Sequence, residues 1–556
     1  MGKKASFKKR GRSLNGQVLS EIEAWLAESG LPLRRDLLIE YLHIVQDRKH
    51  CLPADYLNAI AHKLHISLVE VYEVASFYHH FDPVKEGDAV PPALTVRVCD
   101  SISCQQSGAE SLIADLSARL ADKGGELRIQ RVPCVGRCEA APVAVVGQHP
   151  VEQATTDKVS AAVDNGQQDA TIPEQAKDLQ TYLDEGGYQL YQQCLSDERD
   201  DESVLSELEN SGLRGLGGAG FPVGRKWRIV KGQTAPRLMA VNIDEGEPGT
   251  FKDRYYLERD PHRFFEGMLI AAKVVGTEAI YIYLRDEYHG VKLLLERELA
   301  ALKQHFPELP PIELRRGAGA YVCGEESAMV ESIEGKRGMP RLRPPYLAEV
   351  GLFGRPTLEH NMESLYWVRD ILDKGAAEFT AHGRNGRKGL RSFSVSGRVN
   401  KPGVHLAPAG ITMRELIDEY CGGMLEGHTF YGYLPGGASG GILPASKGDL
   451  PLDFDTLNEH GCFIGSAAVI VLSDQDKARD VALNAMRFFE HESCGQCTPC
   501  RVGTAKAVKL MEQPVWDQAL MKELSTVMID ASICGLGQAA PNPLQCVINY
   551  FPQEVK

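Results

Sequence analysis

The stretch His491–Gly503, HESCGQCTPCRVG, decides how the C-terminal part of the chain is organised, because it spaces Cys494, Cys497 and Cys500 three residues apart. Thiolates at this spacing can reach three corners of one [4Fe–4S] cube from a single loop. A structural zinc site is the alternative, although zinc sites usually pair their ligands in two separated Cys-x2-Cys units. The spacing therefore favours the cube, and a fourth ligand must come from elsewhere in the chain.

Two further cysteines compete for that fourth position. Cys534 lies in ASICGLGQ, where two glycines allow the backbone to pass close to a cluster. Cys546 lies in LQCVINYF, whose apolar neighbours are typical of a buried structural cysteine. We therefore expect Cys534 to be the ligand. Residues 473–556 are predicted to be helical, with Ser473 and Asp476 capping the helix that leads to the cysteines.

A second set of four cysteines lies upstream, at Cys99, Cys104, Cys134 and Cys138. The stretches ALTVRVC and LRIQRVPC read as strands with an amphipathic helix between them, which predicts a small α/β domain over 83–165. Two thiolate pairs on two loops can hold a [2Fe–2S] rhomb with one iron at each end. Zinc or a vestigial site remains the alternative at this spacing.

Composition places the chain among globular proteins. The 556 residues, 43% hydrophobic and 24% charged, predict three to five domains. The net charge of −14 argues against nucleic acid as the main partner, and no apolar run is long enough to span a membrane. Without a secretion signal the 14 cysteines are expected to stay reduced in the cytoplasm, so grouped cysteines indicate metal rather than disulfides.

The N-terminal region divides into a tail and a helical bundle. Residues 1–15 hold six lysines and arginines within the first twelve positions and are predicted to be a disordered basic tail, although MGKKAS formally fits a myristoylation pattern. Residues 16–82 are predicted to be helical. Ser67 and Glu70 form a capping box, and His79 and His80 are expected to close that helix as structural residues, because adjacent side chains on a helix diverge.

The stretch GLRGLGGAGFPVGRKW, residues 212–227, contains Gly215-x-Gly217-x-x-Gly220. This pattern fits a dinucleotide fingerprint, but a helical pattern precedes it instead of a strand, so we do not expect a standard Rossmann turn. Glycines beside Arg225 and Lys226 nevertheless suit a loop whose amides approach phosphates.

Two acidic stretches follow strands or glycine-rich loops. NIDEGEPGTFKDR, residues 242–254, comes after the strand RLMAV, and Glu325 and Glu326 follow a glycine-rich loop in GAGAYVCGEES. A solvated loop is the plain interpretation. Ligands, however, bind at strand ends in α/β domains, so these carboxylates predict a nucleotide-type cofactor.

Together these motifs closely resemble the flavin-bearing, NADH-oxidising module of respiratory NADH dehydrogenase, while residues 16–138 resemble the thioredoxin-like [2Fe–2S] subunit of that enzyme. The resemblance implies an α/β multidomain fold. Its expected parts are a helical bundle (16–82), a thioredoxin-like ferredoxin domain (83–165), a linker (166–200), a Rossmann-like FMN- and NAD-binding domain (201–388), a ubiquitin-like β-grasp domain (389–472) and a helical [4Fe–4S] domain (473–556).

The resemblance also implies individual site residues. Glu247 and Glu326 would contact the nicotinamide nucleotide as catalytic residues, and Phe221 and Tyr346 would flank its adenine. Ile229 stands where the family has a third aromatic residue, and His360 replaces an asparagine near the flavin phosphate. The other expected cofactor contacts are Gly215, Gly217, Gly218, Lys226, Asn242, Asp244, Glu245, Tyr321, Gly324, Glu325, Arg343 and Asn361.

Fusion of the two modules in one chain resembles the β subunits of NAD-dependent formate dehydrogenases. The implied function is to carry electrons from a partner subunit through iron–sulfur clusters to FMN and on to NAD+. The implied partner is a large α subunit with a molybdenum- or tungsten-pterin site. The diaphorase subunit of NAD-reducing hydrogenases, an NADH dehydrogenase module and a non-catalytic electron relay are the alternatives.

Overall fold

The computed structural model describes residues 12–123 and 125–556. The predicted myristoylation pattern and most of the predicted basic tail lie outside these residues. At the start of the described chain, the Arg12 guanidinium donates to Asp55 at 2.9 Å and to Glu86 at 3.0 Å. Over the described ranges no helix combines the length and the apolar character needed to cross a bilayer.

The N-terminal region is a helical bundle with one short parallel pair of strands. The predicted capping box at Ser67 and Glu70 is present. The helix that it begins ends at Ala75, however, so His79 and His80 lie in the following turn and do not close the helix as predicted. The elements are α1 (Gly16–Ser29), α2 (Leu38–Lys49), β1 (Leu52–Pro53), α3 (Ala54–Leu64), α4 (Leu68–Ala75) and β2 (Pro83–Val84).

The next domain is thioredoxin-like, as predicted. Its sheet has the order β4-β3-β5-β6, with β3 parallel to β4 and antiparallel to β5. Alternating apolar residues of β3 pack on the following helices in a core separate from the rest of the chain. The elements are β3 (Leu94–Cys99), α5 (Ile102–Gln106), α6 (Ala109–Arg119), β4 (Leu127–Val132), β5 (Ala144–Val146), β6 (His149–Val151) and α7 (Thr156–Asp164).

The segment predicted as a linker contains two packed helices, α8 (Leu179–Asp184) and α9 (Gln189–Leu195). Tyr182, Tyr188 and Tyr191 are buried there. The Tyr188 hydroxyl lies 2.8 Å from His262 Nδ1, and the Tyr182 hydroxyl donates to Glu266 at 2.6 Å. These aromatic residues therefore attach the segment to the domain that follows.

That domain is built on a parallel four-stranded sheet with the order β10-β7-β8-β9. Helices cover both faces of this Rossmann-like sheet. The elements are α10 (Asp201–Ser211), α11 (Val223–Lys231), β7 (Arg237–Ile243), α12 (Lys252–Leu257), α13 (Pro261–Val275), β8 (Thr277–Leu284), α14 (His289–His305), β9 (Ile312–Arg316), α15 (Glu326–Ile333), β10 (Thr357–Asn361), α16 (Met362–Lys374) and α17 (Ala376–Ala381).

A mixed five-stranded sheet follows, with the order β12-β11-β15-β13-β14 and a parallel central pair β11–β15. A capping box at Thr412 and Glu415 begins its short helix, and the sheet with this helix has the arrangement of a β-grasp. The elements are β11 (Leu390–Gly397), β12 (Gly403–Pro408), α18 (Met413–Glu415), β13 (Phe430–Leu434), β14 (Leu443–Pro444) and β15 (Ala468–Ser473).

The C-terminal part is helical, as predicted. The cap predicted at Ser473 and Asp476 is wrong, because the first helix begins only at Ala478 and the two residues bond to each other in the preceding turn, where the Ser473 amide donates to Asp476 at 2.9 Å. The helices are α19 (Ala478–His491), α20 (Thr498–Met511), α21 (Gln518–Ala531), α22 (Gly535–Ala539) and α23 (Asn542–Tyr550).

A glycine allows helices α13 and α16 to pack closely. A methyl group added at Gly267 would lie 2.0 Å from the Leu365 carbonyl oxygen. We therefore expect Gly267→Ala to lower the free energy of unfolding by about 1–3 kcal/mol, since overpacking outweighs the better helix propensity of alanine. Gly16→Ala, where a methyl group meets open space, is the matched control. Equal denaturant midpoints for the two variants would contradict this packing argument.

Candidate functional site

The candidate cofactor site lies at the carboxyl ends of β7 and β10, where the strand order of the parallel sheet reverses. Ligands of open α/β sheets bind at such a switch point. Asn242 at the end of β7 is paired in register with Asn361 at the end of β10. The Asn242 side chain donates to the Gly324 carbonyl at 2.9 Å and accepts the Asp244 amide at 3.0 Å. Four predicted site residues therefore meet at these strand ends.

The glycine-rich loop lies between α10 and α11, over the same strand ends. The Leu216 amide donates to Ser364 Oγ at 2.8 Å, which fixes the loop to the start of α16. A methyl group at Gly217 would lie 3.0 Å from Asn361 Cβ, and Gly218 has a φ of +130°. Glycine is thus needed for the approach to β10 and for the backbone conformation. This glycine cradle suits a phosphate-bearing ligand.

Lys226 and His360 project from neighbouring elements in different directions. The Lys226 ammonium donates to the Glu359 carbonyl at 2.9 Å and lies 3.1 Å from the Glu359 carboxylate. His360 is buried and accepts a hydrogen bond from Trp227 Nε1 at 2.8 Å. Burial, with Lys226 nearby, holds the pKa of His360 well below its usual range, so the ring is neutral. The His360 imidazole is thus engaged by Trp227, and its contact with the cofactor stays a prediction.

The acidic turn after β7 is largely enclosed. Burial raises the pKa of Asp244 well above its usual range. Within the described part of the chain, Asp244 Oδ2 is buried without a hydrogen-bond donor. Such an oxygen can accept a hydrogen bond from a ligand hydroxyl, because leaving it unpaired is costly. The polyhydroxyl chain and phosphate of FMN therefore fit the residues present.

Glu245 lies beneath this turn and accepts three hydrogen bonds. Its carboxylate receives the Asp253 amide at 2.8 Å, the Arg254 amide at 3.2 Å and the Tyr288 hydroxyl at 2.9 Å. Burial, together with the neighbouring Asp253 carboxylate, nevertheless raises the pKa of Glu245 to about 7. The folded state therefore holds a proton on Glu245 that the unfolded state releases at lower pH.

This raised pKa predicts a pH dependence of stability. Between pH 4.5 and pH 7 the folded state binds more protons at Glu245 than the unfolded state, so stability from this group is present at low pH and is lost as the pH rises. This group should lower the free energy of unfolding by about 1–3 kcal/mol as the pH rises from 5 to 7, and Glu245→Gln should lack that part of the decline. Denaturant unfolding of both proteins at pH 5 and pH 7 measures it. Parallel profiles for the two proteins would contradict the assignment.

Glu247 is held by the β-grasp domain and by the turn after β9. Its Oε1 accepts the Ser439 amide at 2.7 Å and the Ser439 hydroxyl at 2.9 Å, while Oε2 accepts the Tyr321 hydroxyl. The Tyr321 amide donates to Glu492 at 2.9 Å. Burial raises the pKa of Glu247. These contacts fix the position of a carboxylate at the pocket predicted for nicotinamide.

Glu325 and Glu326 begin helix α15 beside Arg343. Glu325 caps the helix by accepting the Ser327 amide at 3.0 Å and the Ala328 amide at 2.9 Å. Arg343 bonds to Glu325 and lies 3.0 Å from Glu326. Burial and the nearby Glu359 carboxylate raise the pKa of Glu326. The predicted nucleotide-binding carboxylates and Arg343 therefore form one cluster.

The residues expected near adenine lie at the surface. Phe221 is 38% exposed, Ile229 is 40% exposed and Tyr346 is 55% exposed. The Arg225 guanidinium lies 5.7 Å from the centre of the Phe221 ring. Exposed apolar side chains of this kind can pack on a planar ligand.

The four predicted C-terminal thiols line one small cavity. Cys494, Cys497, Cys500 and Cys534 are joined there by the apolar residues Val322, Pro340, Ile533 and Leu536. Cys497 immediately precedes α20, Cys534 immediately precedes α22, and a methyl group at Gly537 would lie 2.8 Å from Cys500 Cβ. Four thiols around an apolar cavity suit a cubane cluster.

Cys546 lies elsewhere, with its sulfur 3.5 Å from that of the buried Cys462. This agrees with its interpretation as a structural cysteine. Burial raises the pKa of Cys500 to about 11 and that of Cys534 to about 12. Iron must therefore displace protons from these thiols, because thiolates are the ligands.

The cysteines of the thioredoxin-like domain form a second buried set. Cys99, Cys104, Cys134 and Cys138 are all enclosed, and the sulfurs of Cys134 and Cys138 lie 3.1 Å apart. The Gly136 amide donates to Cys134 Sγ at 3.4 Å, as amides do at iron–sulfur clusters.

This second site is attached to the acidic turn. The Arg285 guanidinium donates to the Cys134 carbonyl at 2.7 Å and also to the Glu245 carbonyl. The Arg254 guanidinium donates to the Gly136 carbonyl at 2.9 Å. Two buried arginines therefore connect the second cysteine site to the candidate cofactor pocket.

Three residues of the site were not predicted. Ser439 holds Glu247, Glu359 binds Lys226, and Glu492 accepts the Tyr321 amide. The glycine-rich stretch GGASGG around Ser439 was the one local signal that a further loop approaches the pocket. The Glu492 contact joins positions 171 residues apart, which no local pattern indicates.

Family models match three parts of the chain. They are the thioredoxin-like [2Fe–2S] ferredoxin over residues 22–167, the Nuo51 FMN-binding domain over residues 208–370 and the NADH-ubiquinone oxidoreductase-F iron-sulfur binding region over residues 480–556. The chain thus carries an FMN-binding domain and domains for a [2Fe–2S] and a [4Fe–4S] cluster.

Known proteins resemble most of the chain. An NADH-quinone oxidoreductase subunit of Rhizobium meliloti (strain 1021) is 39% identical in an alignment 394 residues long that covers 68% of this chain and 93% of the relative. The mitochondrial NADH dehydrogenase [ubiquinone] flavoprotein 1 of Dictyostelium discoideum is 40% identical in an alignment 373 residues long that covers 64% of this chain and 78% of the relative. A crystallised NAD+-reducing [NiFe]-hydrogenase chain superposes with a TM-score of 0.82 at 31% identity, over 94% of this chain and 92% of that one.

Proposed function

This chain belongs to the family of NADH dehydrogenase flavoprotein 1 and its bacterial NADH-quinone oxidoreductase counterparts, and on that premise we propose that it is the NAD-reducing diaphorase subunit of a larger oxidoreductase. The observation that carries the proposal is the Glu247 carboxylate, which Ser439 and Tyr321 hold in the acidic turn that follows β7, in a chain that also assembles two sets of four cysteines. Such a subunit exchanges hydride with NAD and single electrons with a partner.

FMN would be held by the glycine loop and by the strand ends. The backbone of Gly215, Gly217 and Gly218, with Lys226, suits its phosphate. Asp244 has the free acceptor oxygen for a ribityl hydroxyl. Asn242, Glu245, Tyr321, Gly324, Glu325 and Asn361 complete the proposed pocket. Bound FMN supplies the exchange between a two-electron hydride and single electrons.

The nicotinamide nucleotide would bind along the open side of this pocket. Glu247 is positioned to accept a hydrogen bond from the carboxamide of nicotinamide, because Tyr321 and Ser439 hold its carboxylate from two sides. Glu326 and Arg343 suit the ribose and pyrophosphate. The exposed Phe221 and Tyr346 would pack on adenine, and Ile229 adds an apolar contact without an aromatic face.

The cysteines would hold the two clusters. We assign Cys494, Cys497, Cys500 and Cys534 to the [4Fe–4S] cluster, and Cys99, Cys104, Cys134 and Cys138 to the [2Fe–2S] cluster. The apolar side chains of Val322 and Leu536 line the cavity of the first set, and the four cysteines of the second set are buried. Exclusion of water protects cluster sulfur and tunes its potential.

For the partner, we propose an α subunit with a molybdenum- or tungsten-pterin site that oxidises formate. A hydrogenase partner is the second candidate, and the NAD+-reducing [NiFe]-hydrogenase chain that matches 94% of this chain favours it. We also propose a cytoplasmic location, since none of the 14 cysteines, all of which lie in the described residues, forms a disulfide, as is typical of reducing compartments.

One experiment tests the proposal in two stages. The purified, cofactor-loaded chain should release flavin on denaturation and should reduce ferricyanide with NADH. Absence of both flavin and turnover would leave only the non-catalytic relay. Mass spectrometry of the large subunit that co-purifies, followed by assays with formate and with hydrogen, then decides between the two partners.

A further inference from the structure

Two histidines and a glutamate from distant parts of the chain meet beside the two cysteine sites. His79 follows α4, His491 ends α19, and Glu492 is the next residue. One potential ligand atom of each lies within 4.8 Å of those of the other two. The rings of His79 and His491 are stacked with centres 4.1 Å apart, and His491 Nδ1 lies 3.1 Å from Glu492 Oε1. His80, by contrast, turns to Asp286 at 2.6 Å.

The three side chains line a cavity of about 450 Å³ between the helical bundle, the thioredoxin-like domain and the flavin domain. The two histidines are exposed to this space, whereas Glu492 is buried. The cavity therefore provides an entry path for an ion and room for a solvent ligand.

Two backbone contacts keep the cluster in place. The Glu492 carboxylate accepts the Tyr321 amide at 2.9 Å, and the His79 amide donates to the Gly319 carbonyl at 3.1 Å. The turn after β9 thus anchors both sides of the cluster.

We propose that His79, His491 and Glu492 form a binding site for one divalent transition-metal ion of the zinc class. Two imidazoles and one carboxylate are a ligand set that zinc accepts, with the fourth position left to solvent. Zinc bonds of about 2.0–2.1 Å would bring the ligand atoms to about 3.3 Å from one another. The exposed histidines can make this movement by side-chain rotation.

The site goes beyond the proposed function, because neither histidine belongs to the flavin pocket or to the cysteine sets, and Glu492 reaches that pocket only through the Tyr321 amide. An ion there cross-links the helical bundle to α19. It also binds Glu492, which holds the Tyr321 backbone. Zinc should therefore stabilise the docking of the N-terminal bundle on the rest of the chain.

The test uses the full, cofactor-loaded protein and Zn2+ itself as the probe. After gel filtration we expect about one added zinc per chain, unchanged iron, and a zinc K-edge absorption spectrum with nitrogen and oxygen ligands. His79→Gln and His491→Gln should weaken zinc binding at least about tenfold. His50→Asn is the matched control, since His50 lines the same cavity in a left-handed conformation that asparagine tolerates, and it should bind zinc normally.

Two results would overturn the proposal. Sulfur ligands in the zinc spectrum, or loss of iron on zinc addition, would mean that zinc occupies the cysteine sites. Equal zinc binding by His79→Gln and the unchanged protein would mean that the ion lies elsewhere. Thermal unfolding gives an independent readout. Zinc should raise the unfolding temperature of the wild-type protein and of His50→Asn, but it should not raise that of His79→Gln.

Discussion

Replacing Cys534 by serine should abolish the [4Fe–4S] signal of the reduced protein in electron paramagnetic resonance, whereas replacing Cys546 by alanine should leave it intact. The reason is geometric, because Cys534 shares the small cavity with Cys494, Cys497 and Cys500, while Cys546 packs on Cys462 at 3.5 Å. A serine hydroxyl is a poor replacement for a thiolate at iron. Iron content should fall by one cluster in the first variant only.

The same pair of variants separates the steps of electron transfer. In complex with its partner subunit, Cys534→Ser should lose NAD reduction by at least about 100-fold, while flavin content stays unchanged, since the cavity lies apart from the glycine loop. If Cys546→Ala loses the cluster signal and Cys534→Ser keeps it, the ligand assignment is reversed. Far-ultraviolet circular dichroism of both variants shows whether the C-terminal helices remain folded.

Replacing Glu247 by glutamine should lower NADH turnover per bound flavin by about 100-fold, with flavin retained. Glutamine keeps the size of the side chain, and its oxygen can still accept the Tyr321 hydroxyl. It loses the negative charge, and an amide nitrogen then replaces the oxygen that accepts the Ser439 amide and hydroxyl. A preorganised charge at a reacting centre is worth roughly this factor. Stopped-flow reduction by NADH, with flavin quantified after denaturation, measures both quantities.

The control for this variant is Glu308→Gln, an exposed carboxylate away from the pocket, which should behave as the unchanged protein. Loss of flavin from Glu247→Gln, with normal turnover per remaining flavin, would instead assign Glu247 to the binding of FMN. If Glu247→Gln has the same turnover and the same flavin content as the wild-type protein, Glu247 is not part of the site.

Local signals predicted local structure well. The capping boxes at Ser67 and Thr412 begin helices, because the reciprocal bonds need only four consecutive residues. The three-residue cysteine spacing likewise brings three thiols to one cavity. The facing of His360, by contrast, was not predicted, although strand alternation puts it on the opposite face of β10 from Glu359 and Asn361.

Other features depend on contacts between distant residues. The turn at Ser473 and Asp476 resembles a helix cap, but the bonds close the turn before α19 begins. The segment over 166–200 is polar overall, but it contains tyrosines that are buried. Their burial depends on packing against α13, which no local pattern indicates. The meeting of His79 with Glu492, far apart in sequence, likewise follows from the packing of whole domains.

Arg285 joins the thioredoxin-like domain to the flavin domain, and this contact has a consequence for how the chain retains its cofactors. Arg285 donates to the carbonyls of Cys134 and Glu245 at once, so the loop that holds iron also braces the loop that holds flavin. When iron is scarce, we expect the Cys134 loop to be less ordered, so that Arg285 would lose a partner and the acidic turn would loosen. We therefore expect chains made under iron limitation to retain flavin poorly, which makes loss of the yellow colour a visible report of incomplete cluster assembly.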